Sequence, residues 1–206
     1  PRGLPPFDEA LLVRELELFP DWCVGREFGI EWSALERAAW SAVCRALLDS
    51  ALAQATVPVH RDWMPRNLMV GQPDPGVLDF QDAVVGPLTY DIACLLRDAF
   101  VSWEEPQEID WAVRWWQAAR AAGLPVGDDF GEVWRALEWM GLQRHLKVMG
   151  IFARLKHRDG KPRYVQDLPR FLNYATRVSL RYRPLKPLLA LLEPLSGRRL
   201  AAGYTF

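Results

Sequence analysis

Apolar residues recur three or four positions apart over most of the chain, and this spacing predicts amphipathic helices. A first helix is predicted from Phe7 to Phe19, where Pro20 is expected to stop it, and a second from Glu31 to Ala53. Five residues form the apolar stripe of the second helix: Trp32, Leu35, Ala39, Val43 and Leu47. Five more helices are predicted over residues 88–100, 106–122, 128–155, 168–182 and 187–192.

Three short β-branched segments lie between these helical regions, at residues 57–59, 68–70 and 77–78. The turn-rich stretch 71–76 separates the last two, so they are predicted to form a hairpin. A symmetric register pairs residue 70 with 77 and makes Asn67 a near neighbour of Asp79, since paired Cα atoms lie about 4.5 to 5.5 Å apart. The pattern predicts a mainly α fold with short β-hairpins, of the α+β class.

Composition excludes several classes of protein. The 206 residues are half hydrophobic and carry a net charge of -1 without a basic stripe, so nucleic acid is not an expected partner. Apolar runs are shorter than the roughly 18 residues that span a bilayer, and the first residues do not have the pattern of a signal peptide. These two observations predict a cytoplasmic protein with no membrane partner. Cys23, Cys44 and Cys94 lack C-x-x-C spacing and are expected to be reduced thiols.

The candidate chemistry lies in two segments, His60–Asn67 with the sequence HRDWMPRN and residues 77–82 with the sequence VLDFQD. Asp62 is suited to accept a hydroxyl proton, and Asn67 and Asp79 carry the amide and carboxylate oxygens that Mg²⁺ prefers. Singly, each of these residues suits a helix cap, a turn or a strand end. Together, at this spacing around a hairpin, they favour a phosphoryl-transfer site.

Glycine-rich phosphate loops are missing from these 206 residues, since neither G-x-G-x-x-G nor G-x-x-x-x-G-K-[ST] occurs. The serines also lack the context of a nucleophile elbow, which disfavours a Ser-His-Asp hydrolase. The sequence therefore predicts the larger lobe of a kinase, with the N-terminal nucleotide-binding lobe absent from the chain.

The pattern H-x-D-x-x-x-x-N followed by an Asp-Phe pair resembles the aminoglycoside phosphotransferase and choline kinase superfamily, a small-molecule branch of the protein-kinase-like fold. The resemblance implies the C-terminal lobe of that fold, with ATP as phosphoryl donor and Mg²⁺ as cofactor. Carried over by position, it implies Asp62 as catalytic base, Asn67 and Asp79 as metal ligands, and His60 and Asp91 as supports of the catalytic loop.

The wording of residues 59–69 and 78–96 is most similar to bacterial cell-wall-recycling sugar kinases that act on the anomeric hydroxyl of N-acetylmuramate and N-acetylglucosamine. This implies an amino-sugar acceptor and a nucleotide as partners, with the missing N-terminal lobe supplied by the same protein. An aminoglycoside, choline or homoserine kinase of the superfamily is an alternative, and so is a non-catalytic acceptor-binding or scaffold lobe. Candidate acceptor contacts are Trp32, Trp63, Arg66, Gln81 and Asp82.

Some of these residues admit two interpretations. Arg66 is a candidate contact of phosphate or of a substrate carboxylate, or it is a solvent-facing arginine. Asp82 binds a sugar hydroxyl or caps the next turn. The tryptophans of the second half are core residues or the aromatic wall of a pocket. As one kinase-like lobe, the chain is predicted to comprise a helical entry segment (1–56), the catalytic loop with the metal-binding hairpin (57–86) and a helical subdomain (87–206).

Overall fold

The computed structural model describes residues 3–72 and 74–197. The α-helices are α1 (Glu9–Leu16), α2 (Ala34–Leu52), α3 (Tyr90–Leu96), α4 (Glu105–Ala121), α5 (Phe130–His157), α6 (Leu168–Arg181) and α7 (Pro187–Ser196). A π-helix (Phe19–Glu27) and three short 3₁₀ segments (Pro65–Asn67, Pro162–Asp167 and Arg183–Leu185) accompany them. The strands are β1 (Thr56–Val59), β2 (Leu68–Met69), β3 (Gly76–Val77) and β4 (Val84–Pro87). Helices with short antiparallel strand pairs confirm the predicted α+β class.

The described chain divides into two compact units, and each contains buried apolar side chains. Unit 1 comprises the described residues up to Leu12 together with Leu48–Arg144, and unit 2 comprises Val13–Leu47 together with the described residues from His145. Fully covered side chains of unit 1 include Leu12, Tyr90, Leu137 and Met140, and those of unit 2 include Phe19, Leu146, Phe171 and Leu188. The predicted division at residues 56 and 86 stays a prediction.

The start of the chain corrects the first predicted helix. α1 ends at Leu16, and Pro20 does not stop the helical chain but lies in the first turn of the π-helix Phe19–Glu27. Proline is tolerated there because the first-turn amides of a helix have no intrahelical acceptor.

α2 confirms part of its predicted stripe. Val43 and Leu47 are buried, but Leu35 is 81% exposed, and Trp40, which the predicted stripe did not include, is buried. The helix begins after Ser33, whose backbone N–H donates to Glu36 Oε2 at 2.7 Å while the Glu36 N–H donates to Ser33 Oγ at 3.3 Å. This reciprocal cap starts the helix three residues later than predicted and leaves Leu35 in the outward-facing first turn.

The later helices agree with their predictions to within a few residues, except at the end of α3. This helix ends at Leu96 rather than near Phe100, because Asp98 Oδ1 accepts the backbone N–H groups of Phe100 and Val101. Gly123, with φ of +73°, follows the end of α4 as predicted for a helix exit. Within the described ranges, no helix has the length and apolar character needed to cross a bilayer.

The strands form two separate antiparallel pairs, β1 with β4 and β2 with β3. In the first pair Thr56 lies opposite Pro87 and Val59 opposite Val84. β4 was not predicted.

The predicted register of the hairpin is wrong by two residues. Leu68 pairs with Val77, and the Leu78 N–H donates to the Asn67 carbonyl at 3.0 Å, so Asn67 faces Leu78 rather than Phe80. A pair with two residues per strand and little buried surface specifies its register only weakly.

Candidate active site

The segment that carries Asp62 connects β1 to β2 and is fixed at both ends. Val59, the last residue of β1, is 1% exposed and pairs with the buried Val84 of β4. At the other end the 3₁₀ turn Pro65–Asn67 leads directly into β2. Residues 60–67 are therefore a short loop held between two strands, and we refer to them as the catalytic loop.

Asp91, in the first turn of α3, binds the backbone of this loop through two hydrogen bonds. Its Oδ2 accepts the backbone N–H of His60 at 2.7 Å, and its Oδ1 accepts that of Arg61 at 3.0 Å. Burial raises the pKa of the Asp91 carboxyl above its usual range, while the two N–H donors act in the opposite direction. Both oxygens are used by the loop backbone, and the role of Asp91 as a support of catalysis stays a prediction.

Arg61 adopts a left-handed backbone conformation with φ of +76°, which is uncommon for a residue other than glycine. Its N–H is held by Asp91, and its carbonyl accepts a hydrogen bond from the Cys94 thiol at 3.2 Å. Its guanidinium lies 5.5 Å from the Phe7 ring centroid and donates to the Asp82 carbonyl at 3.4 Å. Strain of this kind persists only where neighbouring groups over-determine the backbone, as they do here.

His60 links the catalytic loop to the hairpin. Its Nε2 lies 2.9 Å from the Leu78 carbonyl and donates to it, which leaves Nδ1 to accept the Asp62 backbone N–H at 3.3 Å. The imidazole also meets the Trp63 ring edge-on, at 5.6 Å between centroids. Because both ring nitrogens are engaged, the contacts favour the predicted bracing role over a role as base.

Asn67 and Asp79 are the two predicted metal ligands. The Asn67 amide donates through Nδ2 to the Asp62 carbonyl at 2.9 Å, which turns its Oδ1 away from the loop backbone. Asp79 is exposed, has φ of +64°, and accepts the Gln81 amide at Oδ1 at 2.5 Å. The hairpin places Asp79 one residue beyond Leu78, the residue that faces Asn67.

An amide oxygen and a carboxylate are hard ligands of the kind that suit Mg²⁺. Among the described residues, no three His, Cys, Asp or Glu side chains are grouped to hold a metal ion. A magnesium ion at Asn67 and Asp79 would therefore take further oxygens from water and phosphate, as Mg²⁺ in phosphoryl-transfer sites does. The donor chemistry fits the predicted cofactor.

Four of the five candidate acceptor residues lie in unit 1 together with Asp62. Trp63 is half-buried beside His60, and Gln81 contacts Asp79. The carboxylate of Asp82 is exposed, and the exposed Arg66 stacks on the ring of Phe100. Contact of these residues with an acceptor stays a prediction.

Trp32 belongs to unit 2, whereas the other four candidates belong to unit 1. It is buried and packs against Phe19 and Trp40, with centroid separations of 6.3 and 5.6 Å. With Glu17, Asp21 and Arg37 it lines a cavity of about 370 Å³. Its role as an acceptor contact also stays a prediction.

The tryptophans of the second half serve different purposes. Trp103, Trp111 and Trp115 line an apolar cavity of about 390 Å³ against one face of α3. Trp116 and Trp134 instead pack against Phe130, at 5.6 and 6.2 Å between centroids. The first group forms an aromatic wall and the second is part of the packing between helices.

Sequence reasoning missed two contributors to the loop. Cys94 lies three residues after Asp91, so the two side chains share one face of α3, and that spacing is a signal that could have found it. Phe7 contacts Arg61 from 54 positions earlier in the chain, and no local pattern indicates such a contact.

Comparison with known proteins identifies the family of this chain. The model of a family described as "Phosphotransferase enzyme family" matches residues 1–130, which include the whole catalytic loop and the hairpin. The N-acetylmuramate/N-acetylglucosamine kinase of Pseudomonas putida is 56% identical over 194 residues, which are 94% of this chain and 57% of that protein. The kinase of the same name from Neisseria meningitidis is 53% identical over 204 residues, 98% of this chain and 61% of the relative.

A third relative of that name, from Pseudomonas aeruginosa, is 53% identical over 192 residues, 93% of this chain and 57% of its own length. The chain thus spans about three fifths of the length of these curated relatives. Since the family model covers well over half of the 206 residues and includes every candidate loop residue, this chain belongs to the phosphotransferase enzyme family.

Proposed function

We propose that the protein is an ATP-dependent kinase that phosphorylates the anomeric hydroxyl of N-acetylmuramate and N-acetylglucosamine. The observation that carries this proposal is identity of 53 to 56% to three kinases named for these sugars, over 93 to 98% of the chain. Because ATP is the donor, we further propose that the reaction takes place in the cytoplasm.

Asp62 is the proposed catalytic base. Its N–H is tied to His60 and its carbonyl to Asn67, so the main chain is fixed on both sides of the residue. Among the described residues no hydrogen bond to its carboxylate is found, which leaves the carboxylate to orient the acceptor hydroxyl and take its proton.

Asn67 and Asp79 are the proposed magnesium ligands. The ion, when bound, neutralises negative charge on the phosphate oxygens of the nucleotide. Two features of this chain support the assignment. The Asn67 amide nitrogen is already used by the loop, which leaves its oxygen for the ion, and Gln81 holds the Asp79 carboxylate from the other side.

We also propose that a nucleotide-binding lobe of the same protein covers the hairpin. Four large apolar side chains around it are exposed: Met69 (53%), Val70 (96%), Leu78 (47%) and Phe80 (69%). Several exposed large apolar side chains on one short hairpin are typical of a surface that contacts another body. The relatives' additional length is sufficient to supply such a lobe.

The test is an ADP-release assay on the full-length protein with N-acetylmuramate, N-acetylglucosamine, an aminoglycoside, choline and homoserine as acceptors. We expect turnover on the two sugars and little on the others. Asp62→Asn should lower kcat roughly 10²- to 10⁴-fold, because the proton acceptor is lost. Turnover of the other acceptors without the sugars would overturn the assignment of the substrate.

Asp110→Asn is the matched control. Asp110 is an exposed carboxylate on α4 whose ion pair is with Arg114, four residues on, at 2.9 Å. This variant should keep wild-type turnover. Wild-type turnover in Asp62→Asn would instead show that Asp62 is not the base.

A further inference from the structure

Arg66 is an exposed residue of the catalytic loop whose guanidinium is stacked on an aromatic ring. Its guanidinium carbon lies 4.2 Å from the centroid of the Phe100 ring, a distance typical of close stacking. Phe100 is itself 41% exposed, so the ring offers a face at the surface rather than an enclosed pocket. The guanidinium therefore has a defined position while it remains open to solvent.

The Phe100 backbone is fixed by a buried carboxylate. Asp98 is 2% exposed, and its Oδ1 accepts the N–H groups of Phe100 at 2.7 Å and of Val101 at 2.8 Å. These bonds end α3 and set the direction in which the chain leaves it. The buried Asp98 carboxylate thus helps to fix the position of the Phe100 ring on which Arg66 stacks.

The 3₁₀ turn Pro65–Asn67 separates the two polar side chains it carries. Successive side chains of such a turn point about a third of a turn apart. The Asn67 amide bends back to the Asp62 carbonyl, whereas the Arg66 side chain extends to Phe100. Arg66 is therefore directed away from the residue proposed to bind magnesium, which disfavours a shared role on the nucleotide phosphates.

Stacking leaves the edge of a guanidinium free to donate. The planar fork of arginine matches a carboxylate with two parallel N–H···O bonds, and an aromatic face below does not obstruct it. Among the described residues, Arg66 has no hydrogen bond or ion pair. A pre-positioned cation with unused donors is suited to an anionic group that arrives with the substrate.

We propose that Arg66, positioned by Phe100, binds the carboxylate of the acceptor and so determines how well the enzyme uses N-acetylmuramate. This inference rests on the proposed function. The two sugars differ in a lactyl ether that carries a carboxylate in N-acetylmuramate and is absent from N-acetylglucosamine. Arg66 is a specificity-determining residue, and Phe100 is a positioning residue that acts through it.

The test compares kcat/KM for both sugars in the full-length protein. Arg66→Gln should lower kcat/KM for N-acetylmuramate roughly 10- to 100-fold, the range expected for losing a hydrogen bond between charged groups. The value for N-acetylglucosamine and the KM for ATP should stay within about threefold. The loss should appear mainly in KM, since the carboxylate is equally charged in the ground state and the transition state.

Phe100→Leu tests the positioning role, because leucine keeps the apolar bulk but removes the ring face. We expect a selectivity loss in the same direction of about two- to fivefold, the range of an exposed cation–π contact. Phe100→Tyr keeps the ring and should restore the wild-type ratio. Arg163→Gln is the matched control, since Arg163 also stacks on a neighbouring ring, that of Tyr164, at 4.9 Å.

Two results would overturn the inference and leave the proposed function intact. Equal losses on both sugars with a raised KM for ATP would place Arg66 on the nucleotide phosphates. Unchanged constants on both sugars would make it a solvent-facing arginine. Failure of the proposed function is distinct, because the wild-type protein would then phosphorylate neither sugar.

Discussion

The two strand pairs of unit 1 differ in how much of their surface is covered. In β1–β4, Val59 and Val84 are 1% and 3% exposed and Gly86 and Pro87 are buried. Beside β2–β3, Val70 is 96% exposed. Both pairs border the catalytic loop, yet only the first is part of a core.

The two strand pairs therefore contribute to the site in different ways. The buried pair β1–β4 holds the start of the loop. The next element in the chain after β4 is α3, whose Asp91 accepts hydrogen bonds from the loop backbone. The exposed pair presents Asp79 and is joined to the loop by the His60–Leu78 hydrogen bond. Burial is concentrated in the first pair and the proposed metal ligand Asp79 lies beside the second, so substitutions in the two should have separable effects.

The largest expected effect comes from the exposed pair. Asp79→Ala removes a proposed magnesium ligand and should weaken Mg-ATP binding on the order of 10²-fold or more, since loss of even an outer-shell partner typically costs 10- to 100-fold. Calorimetric titration of the full-length protein with and without Mg²⁺ measures it. Asp74→Ala, an exposed carboxylate in the turn of the same hairpin, should leave the affinity unchanged. Equal affinities in both variants would remove Asp79 from the metal site.

Asp91→Asn should affect stability and activity together. Asparagine offers one oxygen where the loop backbone presents two N–H donors, and its NH₂ group opposes the second. We expect a loss of about 1 to 3 kcal/mol in the free energy of unfolding. Displacement of Asp62 should lower kcat by up to about 10²-fold. Denaturant unfolding and steady-state assays measure the two effects, and a variant with wild-type kcat would exclude Asp91 as a support of the loop.

The same variant has a defined pH dependence. Burial raises the pKa of Asp91 in the folded protein above the usual value of 3.8, so the folded state binds this proton more tightly than the unfolded state does. The part of its contribution to stability that depends on protonation is complete below pH 3.8 and is lost as pH rises through the raised pKa. The stability advantage of wild type over Asp91→Asn should therefore shrink as pH rises. An advantage that grows with pH would contradict the direction of the shift.

A third substitution compares glycines of the two pairs. A Cβ at Gly86 in β4 would lie 2.8 Å from Phe7 Cβ and 3.0 Å from Phe7 Cδ1, so Gly86→Ala should destabilise unit 1 by about 1 to 3 kcal/mol. Gly71 lies in the turn between β2 and β3, and a Cβ there meets no atom within 4 Å. Gly71→Ala should stay within about 0.5 kcal/mol of wild type. Equal melting temperatures for the two variants would argue against the close contact with Phe7.

The smallest effect is expected for Phe80→Ser in the 206-residue chain. The ring is 69% exposed, so its loss should change the free energy of unfolding by no more than about 0.5 kcal/mol. In the full-length protein the same substitution should cost more, because the proposed lobe would cover the ring. Identical costs in the two proteins, measured by denaturant unfolding, would count against a lobe on this surface.

Chemistry and periodicity predicted different parts of this molecule. The helical spacing of apolar residues located α4 to α7, because burial of one helix face leaves a trace in the order of residues. Asp62, Asn67 and Asp79 were proposed as site residues from their oxygen chemistry and spacing, and their roles stay predictions. Leu35 was misplaced because the spacing of its stripe does not reveal where the Ser33–Glu36 cap begins the helix.

The remaining features depend on contacts between distant residues. β4 was missed because two valines before a Gly-Pro pair look like an approach to the next helix, and its partner lies 25 or more positions earlier. The stack of Phe100 on Arg66 depends on where Asp98 ends α3. The left-handed backbone of Arg61 carries no signal in residue type, and that of Asp79 carries only a weak one, since aspartate is enriched in this conformation.

At position 61 the residue that is best for folding is expected to differ from the residue that is best for turnover. On conformation alone glycine or asparagine would suit a φ of +76° better, so an arginine is costly to fold at this position. A library randomised there and sorted for folded protein would be expected to drift to the smaller residues, whereas sorting for turnover would retain side chains that reach Phe7 and the Asp82 carbonyl. Position 61 therefore distinguishes selection for catalysis from selection for folding.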